Sequence, residues 1–195
     1  MCSSDLAMTG VSLPTARVLA QQFPWDRYAS VADLGCAQGG CIVELTRAHP
    51  HLRGYGFDLA PVAPIFSAYA ERNGVGDRVQ FVAGDFFSGP LPPAQVYIMG
   101  HILHDWDLSQ KKHLLCAAHD ALPPGGALIV YDAMIDNDRR SNTFGLLMSL
   151  NMLVETAGGF DYTSADCLGW MAEAGFRDAY AAPLSGPHSM VVGVR

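Results

Sequence analysis

The chain of 195 residues is half hydrophobic and only 16% charged, which suits one folded domain and is too short for two of ordinary size. Its formal net charge of -7 argues against a nucleic-acid partner, because phosphate backbones are bound by lysine and arginine and only 12 of these are present. Five cysteines without a CxxC pair and seven histidines without a metal-binding spacing predict neither a disulfide framework nor a metal site. No segment approaches the roughly 18 apolar residues that cross a membrane, so we expect a cytoplasmic protein without a membrane partner.

In chain order, hydrophobic periodicity predicts helices that alternate with strands. Residues 1–10 have no periodic pattern and are expected to be disordered or atypical, and a first helix is predicted over residues 11–23 with Ser12 as its N-cap. Strands are predicted to end at Asp33, Asp58, Ala83, Met99 and Asp132. Helices are predicted over residues 39–48, 62–73, 107–121, 144–154 and 163–174. Asp107 with Gln110 and Thr163 with Asp166 are expected to cap two of them. Strands over residues 176–182 and 189–194 would close the chain as a hairpin, and the alternation predicts a mostly parallel α/β sheet with helices on both faces.

The turn after the first strand carries small residues at regular spacing, from Asp33 through Gly35 and Ala37 to Gly39. Such a turn lets the backbone approach a ligand closely, and the helix that follows presents free N–H groups and the positive end of its dipole. The turn alone is also typical of ordinary strand-to-helix connections. The ligand-binding interpretation is favoured by Asp58, because it ends the next strand at the separation where open α/β sheets place a carboxylate on a ribose.

Polar side chains follow several of the predicted strands. Asp33, Asp58, Asp85 and Asp132 lie at strand ends, and the segment 101–106, His-Ile-Leu-His-Asp-Trp, follows the fourth strand. In parallel sheets, ligands bind outside the carboxyl ends of the strands. The sequence therefore predicts a functional site at this edge of the sheet.

Together these motifs resemble the class I S-adenosylmethionine-dependent methyltransferases. More narrowly, residues 8–195 resemble the catalytic domain of the small-molecule O-methyltransferases that act on caffeic acid, acetylserotonin and bacterial polyketide or aromatic hydroxyls. The resemblance implies a Rossmann-like, doubly wound, seven-stranded sheet with a C-terminal antiparallel hairpin. It also implies that residues 11–195 form the catalytic domain and that the family's N-terminal dimerisation domain is absent, which would weaken a homodimer.

The resemblance implies S-adenosylmethionine as cofactor and assigns its binding residue by residue. The implied cofactor-binding residues are Asp33, Gly35, Ala37, Gly39, Asp58, Leu59, Asp85, Phe86 and Met99. Asp58 would hold the ribose hydroxyls, and the adenine would lie between Leu59, Asp85 and Phe86. Ala37 departs from the family pattern, because it replaces the middle glycine of the turn.

His104 matches the family's general base, and Asp132 and Asp161 match flanking carboxylates that are usually Glu in relatives. The residue type also suits the task, since the unperturbed pKa of histidine lies near 6.5 and carboxylates can fix its tautomer. A purely structural histidine that bonds backbone before a helix is the alternative for His104. His101 is expected to be structural or to line a pocket.

The resemblance implies an acceptor that is a small aromatic molecule with a hydroxyl group. Its predicted contacts lie in the apolar segment near residues 144–154: Met148, Asn151, Met152 and Thr156. This segment is apolar on nearly every side, so as a helix it would need cover from a second chain or domain. Core packing is an equal alternative for the two methionines.

The sequence is also compatible with two other functions. A nicotinamide-dependent dehydrogenase would also use the turn and Asp58, but its fingerprint requires glycine where Ala37 stands. A non-catalytic cofactor-binding domain, or an inactive fragment of a longer methyltransferase, is the stronger alternative.

Overall fold

The computed structural model describes the backbone of residues 3–195 and the side chains of residue 10 and residues 12–195. The helices of this part of the chain are α1 (Ser3–Gln22), α2 (Gly40–Ala48), α3 (Ala63–Arg72), α4 (Leu108–Ala121), α5 (Thr143–Glu155) and α6 (Ser164–Glu173). Its strands are β1 (Ser30–Leu34), β2 (Arg53–Asp58), β3 (Val79–Ala83), β4 (Val96–Gly100), β5 (Ala127–Asp132), β6 (Arg177–Pro183) and β7 (Ser189–Val194). Strands and helices alternate as the periodicity predicted, except that β4 follows β3, α6 follows α5 and β7 follows β6.

The strands form one seven-stranded sheet in the order β3-β2-β1-β4-β5-β7-β6. β1 pairs in parallel with β2, and β2 with β3, whereas β7 runs antiparallel to both β5 and β6. The predicted fold class, including the antiparallel C-terminal hairpin, is confirmed. β5 is buried along its whole length, which agrees with its uninterrupted apolar run.

The chain divides into two compact units, one ending at Tyr97 and the other beginning at Ile98. The first contains the β1-α2-β2 connection, and the second contains α4, β5, α5 and the terminal hairpin. The predicted cofactor residues other than Met99 belong to the first unit. The predicted catalytic and acceptor residues belong to the second.

The structure differs from the prediction at the N-terminus. α1 begins at Ser3, so residues 3–10 are helical rather than disordered, and Ser12 lies inside the helix instead of capping it. Once a helix is nucleated, each added residue costs little, so a segment without periodicity can extend it. The part of this prediction that concerns residues 1–2 lies outside the described residues.

Two predicted helix starts are confirmed in detail. At α4, the Asp107 carboxylate accepts the N–H of Gln110 at 2.8 Å, and the Gln110 side chain accepts the N–H of Asp107. Thr163 and Asp166 form the same reciprocal arrangement at α6. Within the described residues, no helix has both the length and the apolar character needed to traverse a membrane.

Candidate active site

In the first unit, the turn between β1 and α2 winds through left-handed backbone. Gly35, Ala37 and Gly39 have φ values of 79°, 47° and 91°. A Cβ atom on Gly39 would lie 2.7 Å from the Phe66 ring, so this position needs glycine for space as well as for conformation. Ala37 adopts an angle that L-residues rarely take, which shows that the alanine is accommodated with strain.

Asp58 is attached directly to this turn. Its Oδ2 accepts the N–H of Ala37 at 2.9 Å, and its Oδ1 accepts the N–H of Leu59 at 2.7 Å. Each carboxylate oxygen has a second acceptor position, which leaves capacity for ligand hydroxyl groups. The structure therefore brings the predicted ribose-binding carboxylate against the predicted ligand-binding turn.

Asp33 lies beneath the same turn and is only 5% exposed. Burial, together with the nearby Asp58 charge, raises the pKa of Asp33 to about 7, although a hydrogen bond from the backbone of Ile42 in α2 opposes the shift. α2 begins with Gly39 as N-cap and without a side-chain cap. The turn thus joins a helix N-terminus to two acidic side chains, Asp33 and Asp58.

The other predicted cofactor residues are in varied environments. Leu59 is 58% exposed beside Asp58, as a contact surface for a flat ring requires. Asp85 follows β3, but its oxygens already accept bonds from the Phe87 N–H and the Ser88 hydroxyl. The Phe86 ring packs edge-on against Phe87. Met99 is fully buried in β4.

In the second unit, three residues predicted from separate parts of the sequence converge. His104 lies in a short 3-10 turn after β4, Asp132 ends β5, and Asp161 precedes α6. His104 Nδ1 lies 3.3 Å from an Asp161 oxygen and 3.6 Å from an Asp132 oxygen. Both carboxylates are fully buried at the side-chain level, and the histidine side chain is 8% exposed. These contacts place two buried carboxylates on Nδ1. On the opposite side of the ring, Nε2 lies 3.5 Å from an oxygen of Asp105, whose side chain is 43% exposed.

The electrostatics of the group favour a charged imidazole. Burial by itself would lower the pKa of His104, but the charges of Asp132, Asp161 and Asp105 outweigh it and raise the pKa to about 9. Burial also raises the pKa of Asp132 to about 7, opposed by His104 and by a hydrogen bond from Tyr162. The Tyr162 hydroxyl donates to Asp132 at 2.5 Å. The group therefore holds an imidazolium more readily than a free histidine does.

His101 lies beside this group. Its backbone has φ of 58°, and its ring is 5.0 Å from His188 and 5.8 Å from His104, measured between centroids. Burial, followed by the charges of His104 and His188, lowers the pKa of His101 to about 3, so it stays neutral. This agrees with a structural or pocket-lining residue.

Metal binding can be judged from donor spacing. Among the described residues, ligand atoms of His101, His104 and Asp132 lie within 4.8 Å of one another. The ring nitrogens of His101 and His104 each lie 3.6 Å from an oxygen of Asp132. The same atoms serve the His104 group, so we assign no metal ligands, and the metal-free expectation stays a prediction.

The predicted acceptor residues occupy α5 and its C-terminal end. Met152 is buried, Met148 is half-buried and Asn151 is exposed. The Thr156 hydroxyl donates to the Met152 carbonyl and accepts the N–H of Gly159, each at 2.7 Å, so it ends the helix. A Cβ atom on Gly159 would lie 2.5 Å from the His104 carbonyl, which places this end of α5 against the His104 turn.

Two residues of this site were missed by the sequence reasoning. Tyr162 supports Asp132, and Lys111 is fully buried beneath the His104 turn. A signal for Lys111 was present, because it shares the spacing of the buried α4 residues Leu114, Leu115 and Ala118. No local pattern marked Tyr162, since its partner is 30 positions away.

Comparisons with known proteins agree with this geometry. TcmO, the tetracenomycin polyketide synthesis 8-O-methyl transferase of Streptomyces glaucescens, is 46% identical over 187 residues, which cover 96% of this chain and 55% of the relative. The N,N-dimethyltransferase OxyT of Streptomyces rimosus is 38% identical over 163 residues, 84% of this chain and 47% of the relative. The crystal structure of human N-acetylserotonin methyltransferase in complex with SAM superposes with a TM-score of 0.90 at 28% identity, covering 98% of this chain and 54% of that one.

The chain spans about half the length of these curated relatives. The sequence model of the O-methyltransferase domain matches residues 5–177, which is most of the chain. With the fold confirmed and the match this extensive, the chain belongs to the O-methyltransferase domain family.

Proposed function

We propose that this chain transfers a methyl group from S-adenosylmethionine to a hydroxyl of a small aromatic molecule, with His104 as general base. The observation that carries the proposal is the position of His104 Nδ1 at 3.3 and 3.6 Å from two buried carboxylates. Family membership removes the dehydrogenase alternative. The relative TcmO, named for a polyketide 8-O-methyl transfer, supports a polyketide acceptor.

The first unit fits the cofactor. S-adenosylmethionine supplies an electrophilic sulfonium methyl group when bound. Asp58 would accept hydrogen bonds from the ribose hydroxyls, and the uncapped start of α2 would face the amino-acid end. The exposed side chain of Leu59 would contact the adenine.

The second unit supplies proton removal. In the neutral imidazole, Asp132 and Asp161 would hold the proton of His104 on Nδ1, so that Nε2 would have the free electron pair that accepts the acceptor's hydroxyl proton. The two carboxylates then stabilise the imidazolium that forms. Asp in place of the family's Glu leaves these contacts in place, because the oxygens still lie within ion-pair distance of the ring.

A second candidate is methyl transfer to nitrogen. It is favoured by the similarity to OxyT, which is named an N,N-dimethyltransferase. The same base would remove a proton from an ammonium group, so the reacting atom of the acceptor, not the chemistry of His104, distinguishes the two functions.

The cofactor proposal is tested by calorimetric titration with S-adenosylmethionine. Asp58→Ala should weaken binding more than tenfold, because it removes charge-assisted hydrogen bonds. Asp77→Ala removes an exposed carboxylate of the same unit and should leave affinity unchanged. Equal affinity in the Asp58 variant would contradict the cofactor assignment.

The base is tested by methyl transfer from labelled S-adenosylmethionine to dihydroxynaphthalenes and to their amino analogues. His104→Ala should reduce turnover by roughly 10² to 10⁴ with cofactor affinity nearly intact. His113→Ala, an exposed histidine of α4, is the matched control. Turnover at the wild-type level in the His104 variant would assign proton removal to another group, and cofactor binding without any turnover would favour a non-catalytic domain.

We also propose a homodimer whose contact surface includes α5. The exposed apolar side chains of this helix are Phe144, Leu147, Leu150, Leu153 and Val154. A contiguous apolar surface of this kind marks an interaction site in soluble proteins.

We propose a reducing cytoplasmic location for the protein, since the four cysteines that the structure describes are free.

A further inference from the structure

The sequence contains only two lysines, and they are adjacent: Lys111 and Lys112. Lys112 is 40% exposed and pairs with Glu173 at 2.7 Å, as a surface lysine commonly does. Lys111 is fully buried on the apolar side of α4. Burying an ammonium is costly, and an apolar side chain of similar volume is often no less stable in such a place.

The contacts of Lys111 connect two segments of the second unit. Its Nζ donates a hydrogen bond to the Trp106 carbonyl, two residues after His104. On the other side it lies 3.6 Å from the centroid of the Phe160 ring, directly before Asp161. Hydrogen bonding and a cation–π contact therefore hold the His104 segment and the Asp161 segment to one buried charge.

The surroundings of this charge are strongly acidic. Burial lowers the pKa of Lys111 to about 8, while the charges of Asp132, Asp161, Asp105 and Asp107 favour its protonated form. Lys111 forms no ion pair with a carboxylate among the described residues, so its charge acts on the group as a whole. It is the positive counterpart of the carboxylates that surround His104.

We propose that Lys111 is a positioning residue for the His104 base, joining the segment that carries His104 to the segment that carries Asp161. The inference rests on the proposed role of His104. Lys111 touches no reacting atom; it acts through the backbone of Trp106, the ring of Phe160 and the field at the two carboxylates.

A positive charge at position 111 affects how strongly His104 binds its proton. The charged and titratable groups that face this region are Asp105, Asp107, Lys111, Asp132, Asp161, Tyr162, His101 and His188, together with Glu155, which acts on Asp105. The pKa of Lys111, about 8, lies below that of His104, about 9, so Lys111 is mostly neutral by the pH at which His104 loses its proton. In Lys111→Arg the positive charge persists at that pH, so His104 should lose its proton at a lower pH. A residue with only a packing role would not shift this titration.

The experiment is an NMR titration of the histidine rings in the protein, which needs no methyl acceptor. His104→Gln identifies the His104 signal by its loss. Lys111→Arg keeps a positive charge at this place through pH 9 and should lower the His104 midpoint by about half to one pH unit, whereas Lys111→Met should stay within about 0.2. Lys112→Met changes the net charge equally and should also stay within about 0.2.

A second measurement uses the wild-type lysines, so the test does not depend on the folding of Lys111→Arg. With lysine labelled at the ε carbon, two signals are expected, and that of Lys111 should titrate well below that of Lys112. Asp161→Asn should lower the Lys111 midpoint further and leave the Lys112 midpoint unchanged.

An unchanged His104 midpoint in Lys111→Arg overturns the proposal. Two lysine signals that titrate together and ignore Asp161→Asn overturn it as well. Neither result contradicts the assignment of His104 as the base. That assignment is tested separately, by the turnover of His104→Ala.

Discussion

The two carboxylates nearest to His104 on either side of its ring offer a direct test of how burial controls its proton affinity. Asp161 lies 3.3 Å from Nδ1 with no side-chain exposure, and Asp105 lies 3.5 Å from Nε2 with 43% exposure. Asp161→Asn and Asp105→Asn remove the same charge at nearly the same distance with little change of shape. The two variants therefore differ mainly in the solvent around the lost charge.

The expected magnitudes follow from Coulomb's law. A pair of charges 3.3 Å apart interacts by about 5 kcal/mol at an effective dielectric constant near 20, and a pair 3.5 Å apart by about 1 kcal/mol in bulk water. One pKa unit corresponds to about 1.4 kcal/mol, and relaxation of the site reduces the buried value. Asp161→Asn should thus lower the pKa of His104 from about 9 by about 1–3 units. Asp105→Asn should lower it by less than about 1 unit.

The assay is the NMR titration of the His104 ring between about pH 5 and 10. The pKa of His104 also controls activity, because only the neutral imidazole can act as the base. With a pKa of about 9, His104 is neutral in only about 1% of molecules at pH 7. Methyl transfer should accordingly increase with pH toward 9, and the acidic limb should move to lower pH in Asp161→Asn. Equal shifts in the two variants, or an unshifted midpoint in Asp161→Asn, would refute the reasoning.

Further predictions concern stability and association. The pKa of Asp33 is raised to about 7, so its stabilising proton is fully bound below about 3.8 and is lost as pH rises through 7. Relative to wild type, Asp33→Asn should therefore gain about 4 kcal/mol in free energy of unfolding between pH 4 and 8, and a pH-independent difference in urea titrations would contradict this. Ala37→Gly should raise the free energy of unfolding by about 0.5–1 kcal/mol because φ is 47°, whereas the helical control Ala48→Gly should lower it. Leu150→Glu should reduce self-association and hydrophobic-dye binding measured by sedimentation and fluorescence, and an equal effect of Thr143→Glu would argue against the α5 surface.

The sequence determined those features that depend on neighbours in the chain. Apolar periodicity is set by the geometry of each helix or strand, so element order and the closing hairpin were predicted correctly. The capping residues Asp107 and Thr163 bond backbone groups three positions away, and they were predicted for the same reason. The resemblance to a family then named His104, Asp132 and Asp161, although nothing local shows that they meet.

Tertiary structure alone decided what these residues experience. His104 and Asp161 are 57 positions apart, and only packing brings them to 3.3 Å and excludes the water that would screen them. Lys111 belongs to a residue type that usually lies at the surface. It shares the helical spacing of its buried neighbours, but only the fold decides that this face of α4 is covered. The extension of α1 to Ser3 likewise lacks a local signal. Burial and the distances between charges depend on the whole chain at once, because they are set by contacts between segments that are remote in sequence.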